Sequence, residues 1–473
     1  MTIRSLVLLP DAIVVAGAIG FLLVGRFMRL SRRRRSMLPA AAALILLVAF
    51  GIELWVGSVT ADYFGRALVQ DRFALFVKAA ALLATAAAIA VTDWSAEDSP
   101  SIGVAMAMLS AFGIMVAASA NTIVGLWVGL ELAAIAAVVL VSMRRPDAAL
   151  RLILTGGLAT ALILAGLVFI YATAGTPDLH SVRESMLNSA PTLALALPIL
   201  LLLGGLAMRA GLIPFQFAHL TFGLGASPLG SGLVLGLVAA AALTAAIKVA
   251  GVLSPVPDVY SPYLAVIAGV AMVGGGAAAL SVRSPRVRMA YLGVAQVGWV
   301  AAGLSTHYRA GLGASLFLLG AFAIAATAGP AVMGAGVEAG EAGLAGMGVL
   351  RPARAAGIAL AMLSLAGAPP LAGFFGVFAV AAALAQSGSF LLLAAGLVGS
   401  ALALAAALGT VRAIYLQSLP EEGRRPAGAA LPVLTRVSTA GAVVFCIFIA
   451  AYGLLGNPIL GLADQGAEAL GLR

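Results

Sequence analysis

The fold class is decided by residues 122–174, which read TIVGLWVGLELAAIAAVVLVSMRRPDAALRLILTGGLATALILAGLVFIYATA. Two apolar runs, each long enough to cross a bilayer as a helix, flank the polar segment Arg144–Asp147. The same alternation of apolar runs and short breaks continues through the 473 residues, of which 62% are hydrophobic and only 10% charged. Because so little polar surface could cover a water-soluble globule, the sequence predicts an all-α, polytopic membrane protein.

The apolar runs predict about fourteen transmembrane helices. They are expected at 6–28, 37–56, 72–92, 101–119, 122–142, 150–174, 193–213, 229–253, 261–281, 289–305, 311–333, 355–386, 389–414 and 431–455. The order of these spans predicts four regions. Residues 1–100 hold the first three helices, 101–253 and 261–414 hold five each, and 415–473 hold the last helix and a tail.

Basic residues are distributed unequally among the breaks, which predicts the orientation of the chain. Every second break, counted from the first, is rich in arginine: Arg26, Arg29, Arg32 to Arg35, Arg144, Arg145, Arg283, Arg286, Arg288, Arg351, Arg354, Arg424 and Arg425. The other breaks hold only Arg66, Arg183 and Arg309. We therefore expect both termini on the outer side of the membrane, although the acidic break Asp93–Asp98 falls on the cytoplasmic side.

Two predicted spans are interrupted in a similar way. Pro214 follows the seventh span in the sequence GLIP, and Pro369 and Pro370 lie within the twelfth in the sequence AGAPPLAG. The interruptions are five spans apart, so the two five-helix regions would be repeats with inverted orientation. Broken helices in inverted repeats are typical of ion paths near the middle of the membrane.

Ionisable side chains inside the spans need a partner or a function, because each costs at least about 2.5–3.5 kcal/mol at membrane depth. The candidates for a proton path are Glu131, Arg209, Lys248 and Lys78, with Gln296 as a polar residue that could carry water between them. Two interpretations of Glu131 and Arg209 are open: a static buried ion pair and a proton relay. Acidic and basic residues nearer the span ends, Asp11 and Glu53 among them, are expected to extend towards the interface.

Other chemistry has little support in the sequence. The single cysteine, Cys446, cannot supply a disulfide within the chain or a set of iron–sulfur ligands, and the three histidines are far apart. Neither a phosphate-binding loop nor a dinucleotide-binding motif is present. We therefore expect no metal, no cofactor and no nucleic acid bound by this chain.

Four blocks of the sequence resemble the antiporter-like membrane subunits of respiratory complex I, most closely the N type of bacterial NADH:quinone oxidoreductase. The blocks are residues 112–175, GGLAMRAGLIPF (204–215), ALSVRSPRVRMAYLGVAQVGW (279–299) and MLSLAGAPPLAGFFGVF (362–378). The resemblance implies fourteen helices in the inner membrane of a bacterium, two inverted five-helix repeats and broken seventh and twelfth helices. It also implies partner subunits that carry flavin, iron–sulfur clusters and quinone.

The resemblance implies proton-carrying residues, which this sequence matches only in part. The glutamate of the fifth helix is present as Glu131, whereas the lysine of the seventh helix corresponds to Arg209. The lysines of the eighth and twelfth helices correspond to Ala239 and Val377, and the histidine of the tenth helix to Gln296. Lys248 lies where the family often has arginine.

Several functions stay open. Within a proton-translocating NADH:quinone oxidoreductase, the chain could be an active proton channel or a structural subunit of the membrane arm. The alternative class is a subunit of a multi-subunit cation/proton antiporter or of a membrane-bound hydrogenase, built on the same fold. In each case the chain by itself is expected to carry out no redox chemistry.

Overall fold

The computed structural model describes residues 6–28, 32–57, 59–94, 99–187, 193–216, 227–334, 343–417 and 433–470. We number the apolar helices in chain order: α1 (Leu9–Phe27), α2 (Arg32–Val56), α3 (Arg72–Val91), α4 (Pro100–Ser119), α5 (Ile123–Ser142), α6 (Pro146–Ala174), α7 (Leu193–Ala210), α8 (Pro228–Val252), α9 (Pro257–Ser281), α10 (Pro285–Ser305), α11 (Arg309–Met333), α12 (Pro352–Leu365 and Ala372–Gln386), α13 (Phe390–Leu416) and α14 (Val433–Leu454). The described residues also form short helices at Leu179–Leu187 and Met347–Leu350, a C-terminal helix at Gly456–Ala469 and a hairpin of β1 (Ala61–Tyr63) and β2 (Leu68–Gln70).

The membrane-spanning, all-α fold is confirmed. Within the described residues, 11 helices are long and apolar enough to cross a membrane, or 12 if α14 and the C-terminal helix, which meet at 74°, count as one span. The shorter apolar helices are α7 and the two halves of α12. Each predicted span thus coincides with a helix, while the number fourteen stays a prediction.

The helix beginnings follow from local sequence. Proline lies in the first turn of α4, α6, α8, α9, α10 and α12, where its missing N–H breaks no helical hydrogen bond. Two other helices begin at side-chain caps. An Asp71 carboxylate oxygen accepts the N–H of Ala74 at 2.7 Å, and the Thr122 hydroxyl accepts that of Gly125 at 3.1 Å.

Five helices form the interior of the bundle. α3, α4, α8, α10 and α11 are mostly buried, and every residue of α11 from Gly311 to Met333 is buried. Glycine allows the closest helix contacts. A Cβ atom at Gly113 of α4 would lie 2.4 Å from the Ala133 nitrogen of α5, and one at Gly129 of α5 would lie 2.5 Å from the Ala117 nitrogen of α4. Helix association in membranes relies on such close packing of small residues.

The breaks in α7 and α12 have the same backbone geometry. Gly211 and Gly367 both have φ of +75°, a left-handed conformation that glycine adopts without strain. After each glycine, an N–H donates to the carbonyl five residues earlier at 2.9 Å, from Leu212 to Ala207 and from Ala368 to Leu363. A cis peptide bond then precedes Pro214 in the first break and Pro370 in the second. The two-repeat organisation stays a prediction, and the matching left-handed glycines and backbone hydrogen bonds support it.

The hairpin marks one end of the bundle, which we call the hairpin end. β1 and β2 pair antiparallel between the end of α2 and the start of α3, and Leu68 also bridges to Ala120 at the end of α4. Thr122 bridges to Asp178 beside the short helix Leu179–Leu187. The arginine distribution predicts that this end faces outward.

Candidate functional site

Glu131 of α5 and Arg209 of α7 form a buried ion pair. An Arg209 Nη2 atom lies 2.6 Å from Glu131 Oε1. Thr160 of α6 joins them, because its hydroxyl donates to the same carboxylate oxygen at 2.6 Å and accepts from Arg209 Nη2 at 2.5 Å. Three consecutive helices of the first predicted repeat therefore meet at one charged group.

The Glu131–Arg209 pair is largely shielded from solvent. The Arg209 side chain is 3% exposed and that of Glu131 is 22% exposed. Arg209 also donates to the Gly156 carbonyl at 3.3 Å, while its Nε atom has no partner among the described residues. Removing Glu131 alone would leave the Arg209 charge uncompensated and away from water, which is more costly than removing both members of the pair.

Lys248 of α8 occupies a different place, at the hairpin end. Its Nζ donates to the carbonyl oxygens of Ala118 at 2.5 Å and Ala120 at 2.6 Å, where α4 ends, and lies 5.2 Å from the centre of the Phe73 ring. A cation at a helix C-terminus satisfies free carbonyl groups and the negative end of the helix dipole. The side chain also borders a cavity of about 230 Å³ that includes Asp71 in its lining.

Lys78 of α3 has a carboxylate partner that the sequence did not assign to it. Its Nζ lies 2.7 Å from Asp11 Oδ2 of α1, and the lysine side chain is only 1% exposed. Nearby, Glu53 of α2 accepts a hydrogen bond of 2.6 Å from the Gln70 side chain and is 1% exposed as a residue. The expectation that Glu53 extends to the interface is wrong. Gln70 of β2 contacts its side chain, and both residues are buried.

Gln296 of α10 lies beside the break in α12. The residue is 1% exposed, and neither polar atom of its amide has a hydrogen-bond partner among the described residues. A Cβ atom at Gly373, just after Pro369 and Pro370, would lie 3.1 Å from the Gln296 Nε2 atom. The hydroxyl of Ser364, at the end of the first half of α12, is also buried without a partner there.

Of the five sequence-derived candidates, the structure brings only Glu131 and Arg209 into contact. Within the part of the chain that the structure describes, no hydrogen bond or ion pair joins this pair to Lys78, Lys248 or Gln296. The small cavity between the break of α7 and α10 has an apolar lining, formed by Ala210, Gly211, Leu235, Met289, Ala290, Gly293, Val294, Val297, Phe322, Ala326 and Pro330.

Besides Asp11, sequence reasoning missed three further partners. Thr160 and Gln70 are uncharged, so the energetic cost of placing a charge inside the membrane did not point to them. Asp93 belongs to the acidic break that opposed the predicted orientation, and it lies 3.2 Å from Arg354 of α12, whose side chain is 5% exposed. This ion pair gives a structural reason for an aspartate at the end of α3.

A family model described as NADH:quinone oxidoreductase/Mrp antiporter, transmembrane, matches residues 120–403 of this chain. The chain belongs to this family. It is 29% identical to NADH-quinone oxidoreductase subunit N of Granulibacter bethesdensis, over 98% of each chain. The family thus accounts for the antiporter-like resemblance.

Two solved structures share the fold. A chain of respiratory complex I from Thermus thermophilus with bound aureothin superposes with a TM-score of 0.77 and 24% identity, covering 96% of this chain and 99% of that one. A chain of the Mrp complex from Dietzia sp. DQ12-45-1b superposes with a TM-score of 0.82 and 22% identity, covering 99% and 98%. Both similarities concern subunits of multi-subunit membrane complexes.

The structure also shows the surroundings of Ala239 and Val377, the residues that the sequence resemblance aligns with two family lysines. Ala239 lies on α8 and is 2% exposed. Val377 lies on the second half of α12, partly buried, with its Cγ2 atom 3.5 Å from where a Cβ atom of Gly367 would be. Both positions therefore belong to apolar packing. Among the described residues, no group of three or more His, Cys, Asp or Glu side chains could hold a metal ion.

Proposed function

We propose that this chain is the N-type antiporter-like subunit of a proton-translocating NADH:quinone oxidoreductase in the inner membrane of a bacterium. Flavin, iron–sulfur clusters and quinone would lie on partner subunits, and both termini on the outer side. The similarity to a subunit N over 98% of both chains supports this assignment. The arginine-rich alternate breaks support the orientation.

Within that complex, we propose that Glu131 and Arg209 are a permanent ion pair that fixes the packing of α5, α6 and α7. The observation that carries this proposal is the guanidinium group 2.6 Å from the Glu131 carboxylate, at the position of a family lysine. A lysine can give up its proton when it is desolvated, but an arginine essentially cannot. The cavity between the break of α7 and α10, which apolar side chains line among the described residues, supports the same conclusion.

The test is the number of protons translocated per two electrons in the assembled complex. Glu131→Gln alone would leave the Arg209 charge unpaired, so the informative variant is the double substitution Glu131→Gln with Arg209→Gln. We expect the double variant to keep the stoichiometry of the wild-type complex. A loss of one or more protons per two electrons would refute the static pair and make Glu131 a proton-carrying residue.

The family model covers Mrp antiporters as well as NADH:quinone oxidoreductases, which supports a second candidate, a subunit of a cation/proton antiporter. Purification of the tagged chain in mild detergent separates the candidates. Co-purifying flavin and iron–sulfur subunits with NADH:quinone activity would support the oxidoreductase. Companions without any redox subunit would instead support the antiporter.

A further inference from the structure

Three ionisable side chains lie close together near the hairpin end, where α1, α2 and α3 pack. Lys78 contacts Asp11 at 2.7 Å, and the charges that act on the buried Glu53 are those of Lys78 and Asp11. α4, which also packs against α2, carries no ionisable side chain. Two carboxyl groups therefore share the ammonium group of Lys78, while Lys248, whose charge also acts on that of Lys78, is held by the Ala118 and Ala120 carbonyls.

This composition leaves one negative charge without a partner if all three groups are ionised. An isolated charge away from water is so costly that a buried carboxyl group takes up a proton instead. When two carboxyl groups share a site, one of them holds the proton. Asp11 has the ammonium group at contact distance and a side chain that is 14% exposed. Glu53 is 1% exposed and its hydrogen-bond partner is a neutral amide.

The side-chain amide of Gln70 gives an independent indication that Glu53 is protonated. Gln70 Nε2 donates to Glu53 Oε1 at 2.6 Å, while the other polar atom of the same amide, Oε1, is buried without a hydrogen-bond partner among the described residues. A carboxylate can only accept hydrogen bonds, whereas a carboxylic acid can also donate one. A protonated Glu53 can therefore pair with Gln70 as acid with amide, which provides a donor next to the buried amide oxygen.

We propose that Glu53 is a proton-binding site of this chain. It holds a proton as a carboxylic acid against Gln70 and exchanges that proton with water at the hairpin end. On release, the proton passes from the Glu53 oxygen to a water molecule, and Lys78 is shared by two carboxylates until another proton returns. Asp11, with a side chain that is 14% exposed, is the partly exposed member of the group. The site is separate from the Glu131–Arg209 pair and outside the residues that the family model matches.

Infrared spectroscopy of the purified complex tests the protonation state directly. We expect the difference spectrum between the wild type and Glu53→Gln to show the loss of one protonated-carboxyl band, which shifts in deuterated water. The matched control is Glu184→Gln, since the Glu184 side chain is 65% exposed, and it should leave the band unchanged. Identical protonated-carboxyl regions in the wild type and Glu53→Gln would overturn the proposal.

A second variant tests the shared ammonium group and does not require Glu53→Gln to fold. In Asp11→Asn, Lys78 loses the carboxylate at contact distance while Glu53 still lies within reach of its charge, so we expect Glu53 to ionise and the same band to disappear. A spectrum of Asp11→Asn that keeps the band would overturn the charge-sharing argument. A wild-type band that fails to shift after transfer to deuterated water would overturn the exchange with the aqueous phase. None of these results depends on proton pumping or on the identity of the complex.

Discussion

The Glu131–Arg209 pair predicts an asymmetric response to removing its two members. Glu131→Gln leaves a guanidinium group that is 3% exposed and cannot lose its proton. Breaking a buried pair in this way costs about 3–5 kcal/mol. Arg209→Gln leaves a carboxyl group that is 22% exposed and can take up a proton, so the cost falls to that of poorly satisfied hydrogen bonds, about 1–3 kcal/mol.

The double variant should be more stable than Glu131→Gln alone. Two neutral amides can hydrogen-bond to each other and to Thr160, which leaves a cost of about 1 kcal/mol. Relative to the wild type, the folding equilibrium should therefore change by roughly two to almost four powers of ten in Glu131→Gln and by about one power of ten in the double variant.

Labelling of Cys446 with a maleimide offers a measurement inside the intact complex. This is the only cysteine of the chain, it is half-buried, and its sulfur contacts the Ala353 carbonyl at 3.9 Å. Mass spectrometry of the labelled peptide during a temperature ramp reports the midpoint of unfolding for this chain alone. We expect the midpoint to fall most in Glu131→Gln, less in Arg209→Gln and least in the double variant. Additive losses in the double variant, or a larger loss in Arg209→Gln than in Glu131→Gln, would refute the reasoning.

Two further predictions concern Lys248 and the contact of α4 with α5. Lys248→Met should leave the carbonyls of Ala118 and Ala120 poorly satisfied and cost about 1–3 kcal/mol, with faster hydrogen exchange at the end of α4 and unchanged proton stoichiometry. Lys248→Arg should recover much of the protection, whereas a changed stoichiometry in Lys248→Met would argue for a proton-carrying lysine. Gly129→Ala should cost about 1–3 kcal/mol, because the new Cβ atom would lie 2.5 Å from the Ala117 nitrogen. Gly157→Ala meets nothing within 4 Å and should be neutral or slightly stabilising, so equal assembly yields for these two alanine variants would contradict the packing argument.

The spans and both breaks were predictable because they depend on local sequence. A run of about 20 apolar residues has few folding alternatives in a membrane, and the clusters of glycine and proline at 211–214 and 367–370 favour a break in a helix. The C-terminal helix Gly456–Ala469 was not predicted. With 14 residues it is shorter than a span, and its polar and apolar residues are mixed. The hairpin was also missed, because its strands are only three residues long.

The contacts within the candidate site were predictable only where a charged side chain inside the membrane needs a partner. Glu131 lies well within α5 and Arg209 lies in the last turn of α7, so each needed a partner at membrane depth, and an ion pair was one of the two interpretations left open. The partners of Lys248 are backbone carbonyls, which every residue has, and no sequence pattern distinguishes them. Glu53 was expected to reach the interface because it lies three residues from the end of α2. The hairpin covers it instead, and only tertiary structure could show this.

The buried charges of the described residues suggest where a mobile proton can exist in this chain. Arg209 and Glu131 neutralise each other, and the charge of Lys248 is held by the carbonyl end of α4. Neither arrangement requires a proton to be gained or lost. The group of Asp11, Lys78 and Glu53 differs, because its two acids and one base balance only when one acid is protonated. If both proposals hold, the exchangeable proton lies in the first three helices, and the five-helix region that holds Glu131 keeps its charges fixed.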